Sequence, residues 1–223
     1  MNVSMFMTRH LVTVGPDGSV ADAAALMAQR RIRRLLVMEK KADGPALVGI
    51  ITAKDILHCF PPEVNPFAVI TPTARQASLT AGKIMKRELL VTTPETPIES
   101  AAAVMRDHKI GALPVLREKN LVGLITESDI FRAFVGLFGS DEEGARITLD
   151  VSKGEDVFGL VAQTAQRYGV HVTSLLRVLQ ENQPICVVRV TGEAVDNFLE
   201  EIWNSGHRVL NVIRFPLEQP AQH

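Results

Sequence analysis

The chain contains the heptapeptide Gly49-Ile-Ile-Thr-Ala-Lys-Asp55 and, later, a near copy of it, Gly123-Leu-Ile-Thr-Glu-Ser-Asp129. Both read glycine, two apolar residues, threonine, two variable residues and aspartate. Each copy follows a run typical of a strand and leads into an apolar segment. Thr-x-x-Asp is a capping box, in which the threonine hydroxyl accepts from an amide three residues on and the carboxylate reaches back. We therefore expect a helix to start after each threonine.

Capping alone would explain a single copy, but the duplication also favours a binding function. A helix start of this kind presents a hydroxyl, a carboxylate and free backbone amides, which suit a sugar diol and a phosphate. Two copies at equivalent places indicate two equivalent clefts. Their main candidate residues are Thr52, Asp55, Thr126 and Asp129.

An internal repeat extends outward from the two heptapeptides. Met7-Thr8 aligns with Met85-Lys86, and the helical apolar pattern from Val20 to Met27 aligns with that from Ile98 to Met105. Each repeat is predicted to run strand, helix, strand, strand, helix. The predicted strands are 11–14, 35–38 and 47–51 in the first copy, and 89–92, 113–116 and 121–125 in the second.

Three connections can be predicted from residue types. The first copy has a longer loop, from Glu39 to Ala46. In the second copy Thr96 is expected to cap a helix with Pro97 at its first position. Residues 61–78 contain four prolines, which disfavour a continuous helix, so we expect an extended linker with one short helical turn.

The third segment, 145–216, alternates between strand-like and helical patterns. Helical spacing from Val157 to Tyr168 ends at Gly169, a suitable stop residue, and Asn182-Gln183-Pro184 predicts a turn. The order is βαββαβ, a ferredoxin-like split unit. Residues 217–223 are predicted to form a frayed tail.

The two repeats resemble a tandem pair of cystathionine-beta-synthase (CBS) domains, the Bateman module. The resemblance rests on the opening Met-Thr and Met-Lys pairs, the proline turn after the first strand, the segment Lys109-Ile-Gly-Ala-Leu-Pro-Val115 and both heptapeptides. The third segment resembles an ACT domain, a small-molecule regulatory module. A CBS pair followed by an ACT-like domain is similar to the acetoin-utilisation protein B family.

This resemblance implies an α/β (α+β) fold. Two βαββα repeats would pack as a pseudo-twofold module, followed by the ACT-like domain. The implied boundaries are 1–60 for the first CBS repeat, 61–78 for the linker, 79–139 for the second repeat, 145–216 for the ACT-like domain and 217–223 for the tail.

The resemblance also implies an adenosine-containing regulatory ligand, such as AMP, ADP, ATP or S-adenosylmethionine, and no catalytic cofactor. In the family the aspartate of one repeat binds the ribose, and the adenine lies between backbone and apolar residues, partly from the other repeat. By position the adenine candidates are Val12, Thr13, Val14, Ile32 and Leu36 in the first copy, and Leu90, Val91, Thr92, Ile110, Gly111, Ala112 and Pro114 in the second.

Arginines before the second strand of the first repeat are the sharpest charge feature. Arg33 and Arg34 precede a buried strand near the expected cleft mouth, and arginine forks suit phosphate oxygens. Arg30 and Arg31 fit a solvated helix end better. The second copy has Gly111 and Ala112 where the first has Arg33 and Arg34, so we predict clefts of unequal phosphate affinity. Lys109 and His108 are weaker phosphate candidates.

Composition excludes several classes of function. The net charge of the 223 residues is -1, which gives no indication of nucleic-acid binding. Cys59 and Cys186 form no C-x-x-C motif, and the six histidines lack metal-ligand spacing, so no metal is expected. No nucleophile–base pattern or P-loop is present, so we expect no enzymatic activity. Lacking a transmembrane run and a basic signal-peptide region, the chain is predicted to be cytoplasmic, without a membrane partner.

The sequence therefore predicts a regulatory sensor that binds an adenosine-containing ligand in clefts between the repeats. The ligand would change the conformation of a homodimer or larger assembly, and with it the activity of a regulated protein partner. Two alternatives stay open. The repeats could be a constitutive dimerisation module with vestigial clefts, or the chain could sense an amino acid through its ACT-like domain.

Overall fold

The computed structural model describes residues 1–60, 79–138, 143–154 and 156–215. The linker predicted at 61–78 and the tail predicted at 217–223 lie outside these residues. The chain divides into two compact units, Met1–Phe131 and Arg132–His223. Both helices and sheets are present, so the predicted α+β class is confirmed. The finer domain boundaries stay a prediction.

The first repeat follows the predicted order, with these elements: β1 (Thr13–Val14), α1 (Val20–Arg30), β2 (Arg34–Lys41), β3 (Gly44–Thr52) and α2 (Ala53–Leu57). A 3-10 helix, Val3–Met5, precedes them. β1 pairs in parallel with β2, and β2 pairs antiparallel with β3. α1 starts after Ser19, whose hydroxyl accepts from the amide of Asp22 at 3.0 Å. The apolar stripe predicted for α1 is buried in the core of this repeat: Val20, Ala23, Ala24 and Met27.

The hairpin of the first repeat differs from the prediction. β2 and β3 stay paired as far as Lys41 and Gly44, so most of the loop predicted from Glu39 to Ala46 is strand. Gly44 has a φ of 112°, which a side chain would disfavour. Pro45 is tolerated because β3 is an edge strand of the sheet β1-β2-β3, and its missing N–H breaks no inner ladder.

The second repeat has these elements: α3 (Ala81–Ile84), α4 (Ile98–His108), β4 (Ala112–Arg117), β5 (Asn120–Thr126) and α5 (Glu127–Phe138). The strand predicted at 89–92 is reduced to one parallel bridge between Thr92 and Val115. The predicted capping role of Thr96 is wrong, since Pro97 holds the N-cap position and has no side-chain cap. The Thr96 hydroxyl instead accepts from the amide of Thr93 at 3.2 Å, a local turn that competes with capping.

Each repeat is completed by the segment that opens the other one. A Cβ added to Gly49 would lie 2.5 Å from the sulfur of Met85, and one added to Gly123 would lie 2.5 Å from the sulfur of Met7. Backbone bridges accompany these contacts, Ile50 to Lys86 and Thr8 to Leu124. The glycine of the heptapeptide is therefore needed for close approach of the partner repeat. A repeat of this size buries little surface alone. Ala81 and Met85, from the segment that opens the second repeat, are part of the core of the first repeat.

The second unit has these elements: β6 (Gly144–Asp150), α6 (Val157–Tyr168), β7 (His171–Gln180), β8 (Gln183–Thr191), α7 (Val195–Asn204) and β9 (Val209–Phe215). The sheet order is β7-β8-β6-β9, with antiparallel pairs throughout. This is the predicted βαββαβ order, and Gly169 ends α6 with a φ of 65°. The predicted turn is shifted, because Glu181 and Asn182 form a two-residue turn with positive φ at both positions. The likeness to an ACT domain stays a prediction, since many domains share this order.

Candidate functional site

Both capping boxes form as predicted. In the first, the amide and the hydroxyl of Thr52 donate to Oδ2 of Asp55 at 2.8 and 2.6 Å. The amide of Asp55 donates back to the Thr52 hydroxyl at 3.2 Å. In the second, the amide and hydroxyl of Thr126 donate to Oδ2 of Asp129 at 2.9 and 2.7 Å. The sequence pattern thus fixes the start of α2 and of α5.

The two aspartates differ in accessibility. Asp129 is only 3% exposed and has further interactions beyond the capping box. The Asp55 side chain is 16% exposed, and its Oδ1 lies 3.9 Å from the ammonium of Lys86. Because Oδ2 of Asp55 is used by Thr52, Oδ1 is the oxygen through which Asp55 could bind a hydroxyl group.

The amides of Thr52 and Asp55 are used within the capping box, as that motif predicts. The expectation of free amides at the first helix start is wrong for Ala53. The amide of Ala53 donates to the carbonyl of Arg33 at 2.9 Å, and in the second repeat the amide of Glu127 donates to the carbonyl of Gly111 at 3.1 Å. The amide of Ala53 is therefore not available to an anion, and the basic side chains of the cleft wall are the cationic groups at this place.

A cleft of about 410 Å³ lies between the repeats within the first unit. Its walls combine apolar side chains, the Thr52 hydroxyl and several charged groups. The first repeat contributes Arg33, Arg34, Ile50, Thr52, Ala53 and Lys54. The second contributes Lys86, Glu88, Leu89, Leu90, Lys109, Ile110, Gly111, Ala112 and Pro114.

The cleft unites residues that were predicted separately from the two repeats. The predicted residues found in its wall are Thr52, Arg33, Arg34, Leu90, Lys109, Ile110, Gly111, Ala112 and Pro114. Asp55 lies beside the cleft, turned toward Thr52 and Lys86. The predicted residues outside its wall are Val12, Thr13, Val14, Ile32, Leu36, Val91, Thr92, Thr126 and Asp129. Their role in binding stays a prediction.

The structure adds residues to the cleft that the sequence did not indicate: Ile50, Ala53, Lys54, Lys86, Glu88 and Leu89. The bridge between Ile50 and Lys86 explains why they meet. The sequence contains the residues responsible, because Lys86 follows Met85 and Met85 packs on the glycine of the heptapeptide. That contact joins segments far apart in the chain, so it is recognised only once the long-range pairing is known.

Positive charge dominates the cleft wall. Five of its side chains are basic and one, Glu88, is acidic. Burial, and next the neighbouring Arg33 guanidinium, lower the pKa of Arg34, whereas the carboxylates of Glu127 and Asp129 raise it. Arginine nevertheless stays charged at any working pH. The arrangement therefore suits a small ligand with an apolar part and an anionic part.

Arg34 also reaches toward the second repeat. A Cβ added to Gly111 would overlap the Arg34 guanidinium and lie 2.7 Å from Oε2 of Glu127. The missing side chain of Gly111 thus leaves room for two opposite charges. This contact was not predicted from the sequence, which treated Gly111 as part of an adenine pocket and as the uncharged counterpart of Arg33.

Among the described residues, no three His, Cys, Asp or Glu side chains are grouped so that they could hold a metal ion. In the same part of the chain, no helix combines the length and the apolar character needed to cross a membrane.

Comparison with known proteins gives one matching family model, the CBS domain, over residues 3–61 and 81–136. CBSX3, a mitochondrial CBS domain-containing protein of Arabidopsis thaliana, is 33% identical over 121 residues, which cover 53% of this chain and 54% of that protein. The inosine-5'-monophosphate dehydrogenase of Korarchaeum cryptofilum is 28% identical over 192 residues, which cover 86% of this chain and 36% of the enzyme. This chain therefore spans about half or less of the length of these two curated relatives.

Among solved structures, a protein assigned to acetoin utilization (AcuB) from Vibrio cholerae is similar to this chain. The TM-score is 0.51 and the sequence identity 26%, and the match covers 61% of this chain and 92% of that one.

Proposed function

Because this chain belongs to the CBS-domain family, we propose that its two repeats form a regulatory module that binds an adenosine-containing ligand in the cleft between them. The observation that carries the proposal is the cleft of about 410 Å³ itself, lined by both repeats. Its volume lies in the range of small-molecule sites, which are mostly apolar with a few placed polar groups. The basic side chains in its wall favour a ligand that bears phosphate or another anionic group.

The proposed pose follows from the chemistry of the walls. Leu90, Ile110 and Pro114 offer apolar surface for an adenine ring. Oδ1 of Asp55 would accept from the ribose hydroxyls, as the aspartate does in the family. Arg33 and Lys109, both exposed, would contact the phosphate oxygens.

Lys86 connects the ribose and phosphate parts of this pose. Its ammonium lies 3.9 Å from Oδ1 of Asp55, and its side chain is 65% exposed, so the pair is held loosely. A ribose that bonds to Asp55 would displace the ammonium. The freed lysine would then remain in the cleft wall as a partner for phosphate.

The regulatory part of the proposal is a change of conformation in a homodimer or larger assembly. A ligand shifts such an equilibrium only by its different affinity for the two states. The second unit would act as an ACT-like partner of the CBS pair, a role supported by its βαββαβ order. We further propose that the chain acts on a separate protein and has no enzymatic activity of its own.

Calorimetry on the whole chain would test the proposal with a panel of AMP, ADP, ATP, S-adenosylmethionine and free amino acids. We expect at least one adenosine-containing ligand to bind and amino acids to give no heat. Binding of amino acids alone would favour the sensor that acts through residues 145–215. If no ligand bound and the assembly were stable, the repeats would be a constitutive dimerisation module.

A further inference from the structure

The two repeats differ in charge where Arg34 lies against Gly111. Arg34 lies directly opposite Thr52 in the β2–β3 ladder, so both side chains leave the same face of the sheet. The equivalent pair in the second repeat is Ala112 opposite Thr126. A long cation therefore stands beside the first threonine, and a methyl group stands beside the second.

Glu127 breaks the symmetry a second time. It follows Thr126 as Ala53 follows Thr52, so one repeat has a carboxylate where the other has a methyl group. Both amides make equivalent backbone bonds, to Gly111 and to Arg33. At this place the backbone bonds are thus alike in the two repeats, and the side chains differ.

The two unmatched side chains meet beside Gly111. The guanidinium of Arg34 and Oε2 of Glu127 both border the space that a Cβ at Gly111 would fill. Arg34 is half-buried and Glu127 is exposed. The carboxylate also raises the pKa of Arg34 against the effect of burial, which fits an attraction between the two groups.

We propose that Glu127 draws the Arg34 guanidinium toward Gly111 and thereby limits the cleft's affinity for phosphate-rich ligands. The inference rests on the proposed function and makes Glu127 a residue that determines ligand specificity without lining the cleft. Arg34 lines the cleft, so a ligand's phosphate and the Glu127 carboxylate compete for one cation. A ligand with more phosphate charge competes better. Glu127 would therefore set how many phosphates are needed before Arg34 turns to the ligand.

Calorimetry on the full chain would test this with inorganic triphosphate, ATP, AMP and adenosine as probes. The variants are Glu127→Gln and, as a matched control, Glu88→Gln, which removes the acidic charge of the cleft wall itself. Each is made alone and together with Arg34→Gln. Melting curves of every variant check that the fold is kept.

We expect Glu127→Gln to tighten triphosphate and ATP by about threefold to tenfold, and adenosine by less than about twofold. That gain should vanish in the Arg34→Gln background, whereas any gain from Glu88→Gln should persist there. No gain, or a gain that is independent of Arg34, would overturn the inference.

The probes also separate this inference from the proposed function. If nucleotides bind and Glu127→Gln changes nothing, the inference fails and the proposed function stands. If Glu127→Gln strengthens triphosphate through Arg34 while no nucleotide binds, the competition is supported and the adenosine ligand is refuted. If neither triphosphate nor any nucleotide binds, both are overturned.

Discussion

Replacing Asp55 by asparagine separates the ligand-binding role of this residue from its capping role. Oδ2 of Asp55 accepts from Thr52 at 2.6 and 2.8 Å, and Oδ1 faces Lys86. Asparagine keeps one oxygen, which can replace Oδ2 in the capping box. It puts an NH2 group in place of Oδ1, which cannot accept from a ribose hydroxyl. The substitution should therefore change ligand binding more than folding.

The magnitude follows from the bonds that are lost. A hydrogen bond to a charged group contributes roughly 1.5–3 kcal/mol, so losing one should weaken adenosine or AMP binding by about tenfold to a hundredfold. The weaker capping box should lower the free energy of unfolding by about 1 kcal/mol. Calorimetry measures the first quantity, and urea unfolding measures the second.

Asp129→Asn is the matched control. Asp129 has the same capping bonds to Thr126 but is 3% exposed, so it offers little surface to a ligand. We expect a similar change in unfolding free energy and a much smaller change in affinity at the cleft lined by Thr52. Unchanged binding in both variants would refute the ribose role of these aspartates.

Three further predictions concern charge, packing and assembly. Replacing Arg33 and Arg34 together by alanine should weaken ATP and ADP much more than adenosine. Added salt should shrink the difference, because exposed charges are screened beyond about 10 Å at 0.1 M; equal losses would show that the arginines are structural. Gly49→Ala should lower the unfolding free energy by roughly 1–3 kcal/mol, since its Cβ would press on Met85. The control Gly15→Ala, whose Cβ would have nothing within 4 Å, should change the unfolding free energy little. Equal effects of the two substitutions in urea unfolding would contradict this packing. Light scattering at micromolar concentration should show a dimer or larger species, and a monodisperse monomer with and without nucleotide would refute it.

The tandem CBS pair was predictable from the sequence because its signals are local and occur twice. The apolar stripe of α1 and both Thr-x-x-Asp capping boxes depend on residues a few positions apart. Such short-range patterns are read directly from the chain. The family match over both repeats confirms that part of the prediction.

The predictions of local structure that were wrong concern places where distant segments of the chain decide the conformation. The hairpin of β2 and β3 is longer than predicted because Pro45 lies on an edge strand, which only the sheet order reveals. Thr96 bonds to Thr93 while its carbonyl accepts from Val3 at 2.9 Å, so the opening segment of the chain holds this turn in place. Propensity alone gives no information on such partners.

In the candidate site, too, local features were predictable from the sequence and features set by distant segments were not. Residue types predicted candidate positions in each repeat, and nine of them, Thr52 included, line one cleft. The contributions of Lys54 and Lys86 were missed because they depend on which backbone edge meets which. The amide of Ala53, expected to be free at the start of α2, instead donates to the carbonyl of Arg33. Whether an amide is free depends on tertiary contacts.

The unequal clefts predicted from Arg33 and Arg34 depend on more than the arginines. The backbone bonding around both threonines is equivalent, since both have a capping box. In both, the amide of the next residue also donates to the carbonyl just before β2 or β4. Any difference in ligand preference must then come from side chains that differ at equivalent positions. The first repeat has Arg34 where the second has Ala112, and the second has Glu127 where the first has Ala53. The side chains of Arg34 and Glu127 both lie beside Gly111. A change at one of them acts on the other, so the phosphate preference of the cleft should follow the Arg34–Glu127 pair as a unit rather than either residue alone.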